Sequence, residues 1–232
     1  MTLRADSGHG MVVVSGGNRV RALDGLPTVV AHPVRLARGQ WYYEVQVLRA
    51  GEACIGWTDK AFFGDWATHC GVGDDKHSWG FQGSRTGGKA KTGGRAQSAG
   101  GCWAQGSVVG VAIDVDARTM SFSLDGSTDD TWGVMFTGME FDTCVLYNML
   151  QLAAMQCAAP HCVLFCSSHL VPAISVSKHF EGQVAFDAAH FKYSPPRGYK
   201  AVAASVASTR PLSVQRSFSL ATQRLPPTVE EL

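Results

Sequence analysis

Residues 108–124 constrain the fold more than any other stretch. Val108-Val109-Gly110-Val111-Ala112-Ile113-Asp114-Val115 is one strand-like run and Thr119-Met120-Ser121-Phe122-Ser123-Leu124 is another. Asp116-Ala117-Arg118 joins them, a turn too short for anything but an antiparallel hairpin. Similar runs recur along the chain. Met11 to Val14 ends at Ser15-Gly16-Gly17-Asn18, and Val29 to Leu36 is closed by Arg38-Gly39. In Trp41 to Val47 the residues Tyr43, Val45 and Val47 alternate with Glu44 and Gln46, the period of two of a half-buried strand. Cys54 to Trp57 reads as a short buried strand; Trp132 to Phe136, Val171 to Val176 and Gln183 to Phe186 add three more. Outside 144–159 no long amphipathic helix with caps appears. Many short strands separated by turns predict an all-β sandwich or barrel.

Composition narrows the function classes. Lys+Arg total 20 against 19 Asp+Glu, a net charge of +1, which argues against a dedicated nucleic-acid binder. Hydrophobic residues are 45% of the 232, enough for a sizeable core. The 26 glycines fit a fold full of tight turns. Seven cysteines at irregular spacing fit a reduced cytoplasmic protein with buried thiols better than a disulfide framework. Met1-Thr2-Leu3-Arg4-Ala5-Asp6 has no apolar run, so no secretory leader is expected. Thr143 to Ser177 is uncharged, but its best apolar stretch, Val145 to Ala159, is too short and too rich in amides for a spanning helix.

The order of motifs resembles a SPRY domain. Gly39-Gln40-Trp41-Tyr42-Tyr43-Glu44-Val45 is similar to the family's early core strand, and Ile55-Gly56-Trp57-Thr58-Asp59 to its Gly-Trp strand. Gly71-Val72-Gly73-Asp74-Asp75-Lys76-His77-Ser78-Trp79-Gly80-Phe81 resembles its most specific signature. Val109 to Asp114 with Ser121 to Gly126 resembles the central hairpin. Gly133 to Phe136, Val171 to Ser175 and Phe191 to Pro196 complete the order, over residues 10–200. The wording of Phe62-Phe63-Gly64-Asp65 to Asp75 is nearest to ryanodine-receptor-like members. The resemblance implies a bent β-sandwich of two antiparallel sheets, a concanavalin-like jelly roll, that binds other proteins through loops at one end. Residues 201–232, where Ala, Ser, Thr, Arg and Pro dominate, read from composition as a disordered tail or linker, which leaves a domain over 1–200.

The chain departs from that pattern at 144–170, an uncharged, Cys-rich insert. Leu146, Met149, Leu150 and Ala153 have the spacing of a helix packed on the sandwich. A partner-binding element and extra coding sequence from a retained intron are the other two readings. Within it Cys157, Cys162, Cys166 and His169 offer a zinc set, but C-x4-C-x3-C-x2-H lacks paired short loops, so no metal or cofactor is assigned.

Catalytic patterns are weak. Asp74-Asp75, Asp114/Asp116 and Asp129-Asp130 are carboxylate pairs, expected to brace loops and turns rather than flank a scissile bond. No G-x-S-x-G elbow is present, and Gly71-Val72-Gly73 opens no helix. Ser84 to Gly101 reads as a mobile loop with at most a short strand pair. Its Arg85, Lys89, Lys91 and Arg95 suit a solvated surface first and a phosphate or acidic peptide second.

Trp41, Trp57, Trp79, Phe81, Phe62 and Phe63 are expected in the core, and Trp66 is either a clamp or an exposed anchor. Carried over from the family by position, the binding loops are Asp24-Gly25, the stretch holding Trp66, Thr68 and His69, and Lys178-His179-Phe180. Phe180 beside Lys178 is the expected exposed hot spot. The resulting expectation is a non-enzymatic, monomeric protein- or peptide-binding module, an adaptor or scaffold, or part of a ubiquitin ligase or channel. A carbohydrate-binding or hydrolysing sandwich is the alternative from another class. A nucleic-acid contact through Arg85 to Arg95 is a third.

Overall fold

The computed structural model describes residues 1–7, 10–63, 70–129, 132–140 and 169–207. Among the described residues fifteen strands run in chain order. They begin with β1 (Thr2–Ser7), β2 (Val12–Ser15), β3 (Arg19–Ala22), β4 (Thr28–His32) and β5 (Gln40–Arg49). β6 (Ala53–Thr58), β7 (Ser78–Gly83), β8 (Gly88–Thr92), β9 (Arg95–Ser98) and β10 (Val108–Asp114) follow. The last are β11 (Thr119–Leu124), β12 (Gly133–Phe136), β13 (Val171–Val176), β14 (Glu181–Ala185) and β15 (Lys200–Ala201). A short helix, α1 (Ala203–Ala207), closes the described chain.

The strands form two sheets. The first has the order β1-β4-β13-β6-β7-β8-β9 and the second β12-β11-β10-β5-β14-β3-β2. Every pairing on these paths is antiparallel. β15 lies parallel to β5, opposite Trp41 and Tyr42, on the stretch that β14 leaves uncovered.

Alternation decides which side chains meet between the sheets. Tyr43, Val45 and Val47 of β5 face Ile55 and Trp57 of β6, and all are fully buried. The Tyr43 ring meets Trp57 edge-on at 5.1 Å, and its hydroxyl donates to Gly56 O at 2.7 Å. Phe81 of β7 reaches Phe122 of β11 at 5.9 Å. Gly56 is required by packing: a Cβ there would sit 2.0 Å from Trp79 O on the neighbouring strand.

Several expectations change. β1, β3 and β15 carry too few apolar residues to be read as strands from sequence. Ser84 to Gly101 contains the β8–β9 hairpin, turned by Gly93-Gly94. Trp57, Trp79, Phe81 and Phe62 are buried, while Trp41 is half-buried and donates from Nε1 to Arg38 O at 2.7 Å. Phe63 is not core: it is 75% exposed. The turn after β6, closed by Phe62 N–H to Asp59 O, aims Phe62 at Cys54, Val72 and Ala173 and leaves its neighbour outside. Burial pushes the Cys54 thiol up to about 12, whereas Cys102 is exposed, so the thiols are not uniformly buried. The chain from 201 to 207 is not tail. Val202 is fully buried and its N–H bonds Tyr42 O at 3.1 Å.

The largest departure is Glu44. Sequence alternation puts it on the outer face of β5, yet it is 2% exposed. Phe191 to Tyr193 crosses that face. Glu44 accepts N–H bonds from Lys192 at 2.7 Å and Tyr193 at 3.0 Å, and the Tyr42 hydroxyl at 3.0 Å. The Phe191 ring meets Tyr42 edge-on at 5.1 Å. Burial, then Glu44 itself, raises the Tyr42 hydroxyl well above its ordinary range, so Tyr42 stays the donor.

A candidate binding face at one end of the sandwich

Two of the three carboxylate pairs brace loops and turns; Asp130 of the third lies outside the described residues. Asp74 accepts the Gly71 N–H at 2.9 Å on Oδ2 and pairs with Lys91 at 2.6 Å through Oδ1. Asp75 accepts from the His77 N–H at 3.1 Å and the Ser78 hydroxyl at 2.6 Å. Asp114 holds the β10–β11 turn through the Ala117 N–H at 2.8 Å and the Gln40 amide at 2.7 Å. Asp116 accepts the Gly39 N–H at 3.0 Å. Most acids in the other hollows are engaged too. In one of about 480 Å³ Glu44 is held as described; in another of about 370 Å³ Asp59 is bonded to Ala61 N and His77. Burial raises Asp6, on the wall of the second, above the ordinary carboxyl range.

Two of the three expected binding stretches come together. Val176 N–H bonds Pro27 O at 3.1 Å, which sets the β3–β4 loop beside the end of β13. Ser177 N–H bonds Glu52 O at 3.1 Å and adds the β5–β6 turn. Asp24 and Gly25 are exposed there, as are Lys178 and His179. Met11 and Leu23, 61% and 43% exposed, adjoin Asp24 through Leu23 N–H to Met11 O. Trp66, Thr68 and His69 lie outside the described residues. Cys70 Sγ, just beyond them, donates to Phe63 O at 3.7 Å.

Phe180 does not belong to this face. It is fully buried, 5.8 Å from the Trp103 ring. The turn before β14, closed by Phe180 N–H to Ser177 O at 3.0 Å, leaves the ring in the same core as Val184 and Phe186. The expected hot spot is therefore a core anchor that ties down the turn carrying Lys178 and His179.

Two arginines complete the face: Arg49, which the sequence reading passed over, and Arg85, which it read as solvated surface first and an acidic-ligand contact second. Arg49, the last residue of β5, donates from Nε to His179 O at 3.0 Å and from Nη2 to Lys178 O at 2.6 Å. Arg85, in the β7–β8 turn, donates from Nε to Ala50 O at 2.9 Å. Trp103 adds Nε1–H to Gly51 O at 3.0 Å. Gly51 has no room for a side chain, since a Cβ would lie 2.4 Å from the His179 carbonyl carbon. The four turns thus lock one another through backbone carbonyls, which makes a rigid platform from loops. Arg49 showed no signal beyond standing at a strand end, and Arg85 lay in a stretch read as mobile.

The insert attaches elsewhere. Met139 N–H bonds Arg118 O in the β10–β11 turn, and Leu170 exchanges bonds with Leu36. β5 runs from Gln40, opposite Asp114, to Arg49, so these attachment points lie at the far end from the arginines. Cys157, Cys162 and Cys166 of the zinc set and the helical reading lie outside the described residues; His169 is described. Among those described, no group of three or more His, Cys, Asp or Glu could hold a metal, and no helix is long and apolar enough to cross a membrane.

A family model described as the SPRY domain matches residues 40–161, over half of the chain. The chain belongs to the SPRY domain family. The crystal structure of the SPRY domain of human HERC1 is similar in fold, with a TM-score of 0.50 at 13% identity. That likeness covers 75% of this chain and 91% of the HERC1 domain. SPRY domains are protein-interaction modules, which agrees with a sandwich whose acids brace loops. β13, outside the matched span, is nonetheless central to the first sheet of this SPRY domain.

Proposed function

We propose that this SPRY domain is a non-enzymatic recognition module. It binds a peptide or partner surface through the end formed by Asp24-Gly25, Gly51-Glu52, Ser84 to Gly87 and Ser177 to His179. The observation that carries this reading is the mutual locking of those turns, Arg49 to the Lys178 and His179 carbonyls and Arg85 to that of Ala50. A platform already rigid loses little entropy on binding. The commitment of Asp59, Asp74, Asp75 and Asp114 to loops and turns favours this reading over the carbohydrate-hydrolysing alternative. The domain acts as a monomer in the cytoplasm, as a substrate-recognition or scaffold part of a larger assembly. The wording around Phe62 and Asp75 supports a ryanodine-receptor-like subgroup within the family.

The test is capture of partners from reduced cytosolic lysate, quantified by mass spectrometry. The combined Asp24→Arg/His179→Glu variant is compared with Ala117→Arg at the opposite end, both at unchanged melting temperature. Specific partners fall about tenfold or more with the first and persist with the second, the scale of a disrupted hot-spot pair. Equal capture by both variants would refute the assignment.

A further inference from the structure

The niche between the β5–β6, β7–β8 and β13–β14 turns has a chemistry of its own. It encloses about 440 Å³ and is lined by Arg49, Glu52, Ser84, Arg85, Ser177 and His179, among others. Each arginine is anchored by Nε to a carbonyl of a neighbouring turn. Anchoring fixes the guanidinium planes. It leaves Arg49 with Nη1 and Arg85 with both terminal nitrogens to donate outward, in the fork geometry that suits an oxyanion.

Neither arginine forms an ion pair among the described residues. Of the acids nearby, Glu181, which feels the Arg49 charge, is ion-paired with Arg19 at 2.6 Å, while Glu52, which lines the niche, is hydrogen-bonded to the neutral Gln82 amide and keeps its charge. Ser177 Oγ is buried and has no hydrogen-bond partner, an unmet cost that a ligand oxygen would relieve after one side-chain rotation. A second hollow of about 480 Å³ shares Glu52, Ser84 and Thr86 with the niche and carries Lys89 on its wall. The two together form a track on either side of the β7–β8 turn.

We propose that the niche between Arg49 and Arg85 is a carboxylate subsite, and that the partner presents an acidic peptide whose Asp or Glu side chain docks there. This rests on the binding-face reading above and names the chemistry of its ligand. Two unpaired, pre-oriented guanidiniums beside an exposed His179 and Lys178 select a negative group. Held by their Nε bonds, they lose little side-chain freedom on docking, which makes the contact specific as well as attractive.

The experiment titrates the full chain against fluorescein-labelled decapeptide pools by fluorescence anisotropy. One central residue is fixed as Asp, Glu, Asn, Lys or phosphoserine, and the flanks are randomised. The Asp or Glu pool binds about tenfold tighter than the Asn pool, the scale of one charge-assisted pair. Arg85→Gln, which leaves the Arg49 clamp in place, removes that preference at unchanged melting temperature. Arg95→Gln, on the exposed β9, keeps it. Equal affinity for all pools, no binding to any, or a preference that survives Arg85→Gln overturns the subsite. A stronger preference for phosphoserine overturns the carboxylate assignment in favour of phosphate. In each of these cases the binding-face reading still stands or falls by partner capture with the Asp24→Arg/His179→Glu variant.

Discussion

Glu44→Ala destabilises the domain by about 3 kcal/mol and lowers its melting temperature by about 6–12 °C, because three hydrogen bonds to one buried carboxylate are lost together. The donors left behind are the Lys192 and Tyr193 N–H groups and the Tyr42 hydroxyl, all held at 3.0 Å or less. The loss propagates. Phe191 loses its clamp on Tyr42, and β15, Val202 and α1 follow from that segment in the chain. Limited proteolysis of the variant should therefore cut between Phe191 and Ala207 before the rest of the domain. Glu44→Gln, which keeps the size and one acceptor, should lose less. A melting temperature within about 2 °C of the parent for Glu44→Ala would refute the clamp.

Phe180→Ala is the second large effect. Emptying a fully buried aromatic site costs about 3–5 kcal/mol, and the ring here packs on Trp103, with Gly182 beneath it. Phe180→Leu recovers part of the loss. The readout separates two roles for one residue. An exposed hot spot would lose ligand at an unchanged melting temperature. A core anchor loses stability first, and binding only because the Lys178-His179 turn is released. Thermal denaturation of the two variants, with partner capture measured well below both melting temperatures, distinguishes them.

Much of the architecture was legible in the residues. The hairpin of Val108 to Leu124 is β10 and β11, and the alternation at Tyr43, Val45 and Val47 named the core side of β5 correctly. Binary pattern determines which face of a strand is apolar. It does not reveal what covers the other face. Glu44 is buried by residues some 148 positions away, a contact no local window contains. Phe180 failed for a related reason. Its neighbours Lys178 and His179 read as a polar turn, but the ring packs inward on Trp103, far away in the sequence. Arg49 and Arg85 were invisible as a pair because only the folded turns bring them to one niche. Asp24 and Gly25 are exposed as a turn in the sequence suggests, and their part in binding belongs to the proposal.

The most direct measurement of the binding-face claim is photo-crosslinking with p-benzoylphenylalanine placed in turn at Asp24, Thr86, His179 and Ala117. Thr86 and His179 line the arginine niche, Asp24 lies on the β3–β4 loop beside the end of β13, and the fourth sits at the opposite end. The account predicts a shared covalent partner from Asp24, Thr86 and His179 and none from Ala117. Adducts from Ala117 alone, or the same adducts from all four positions, would contradict it.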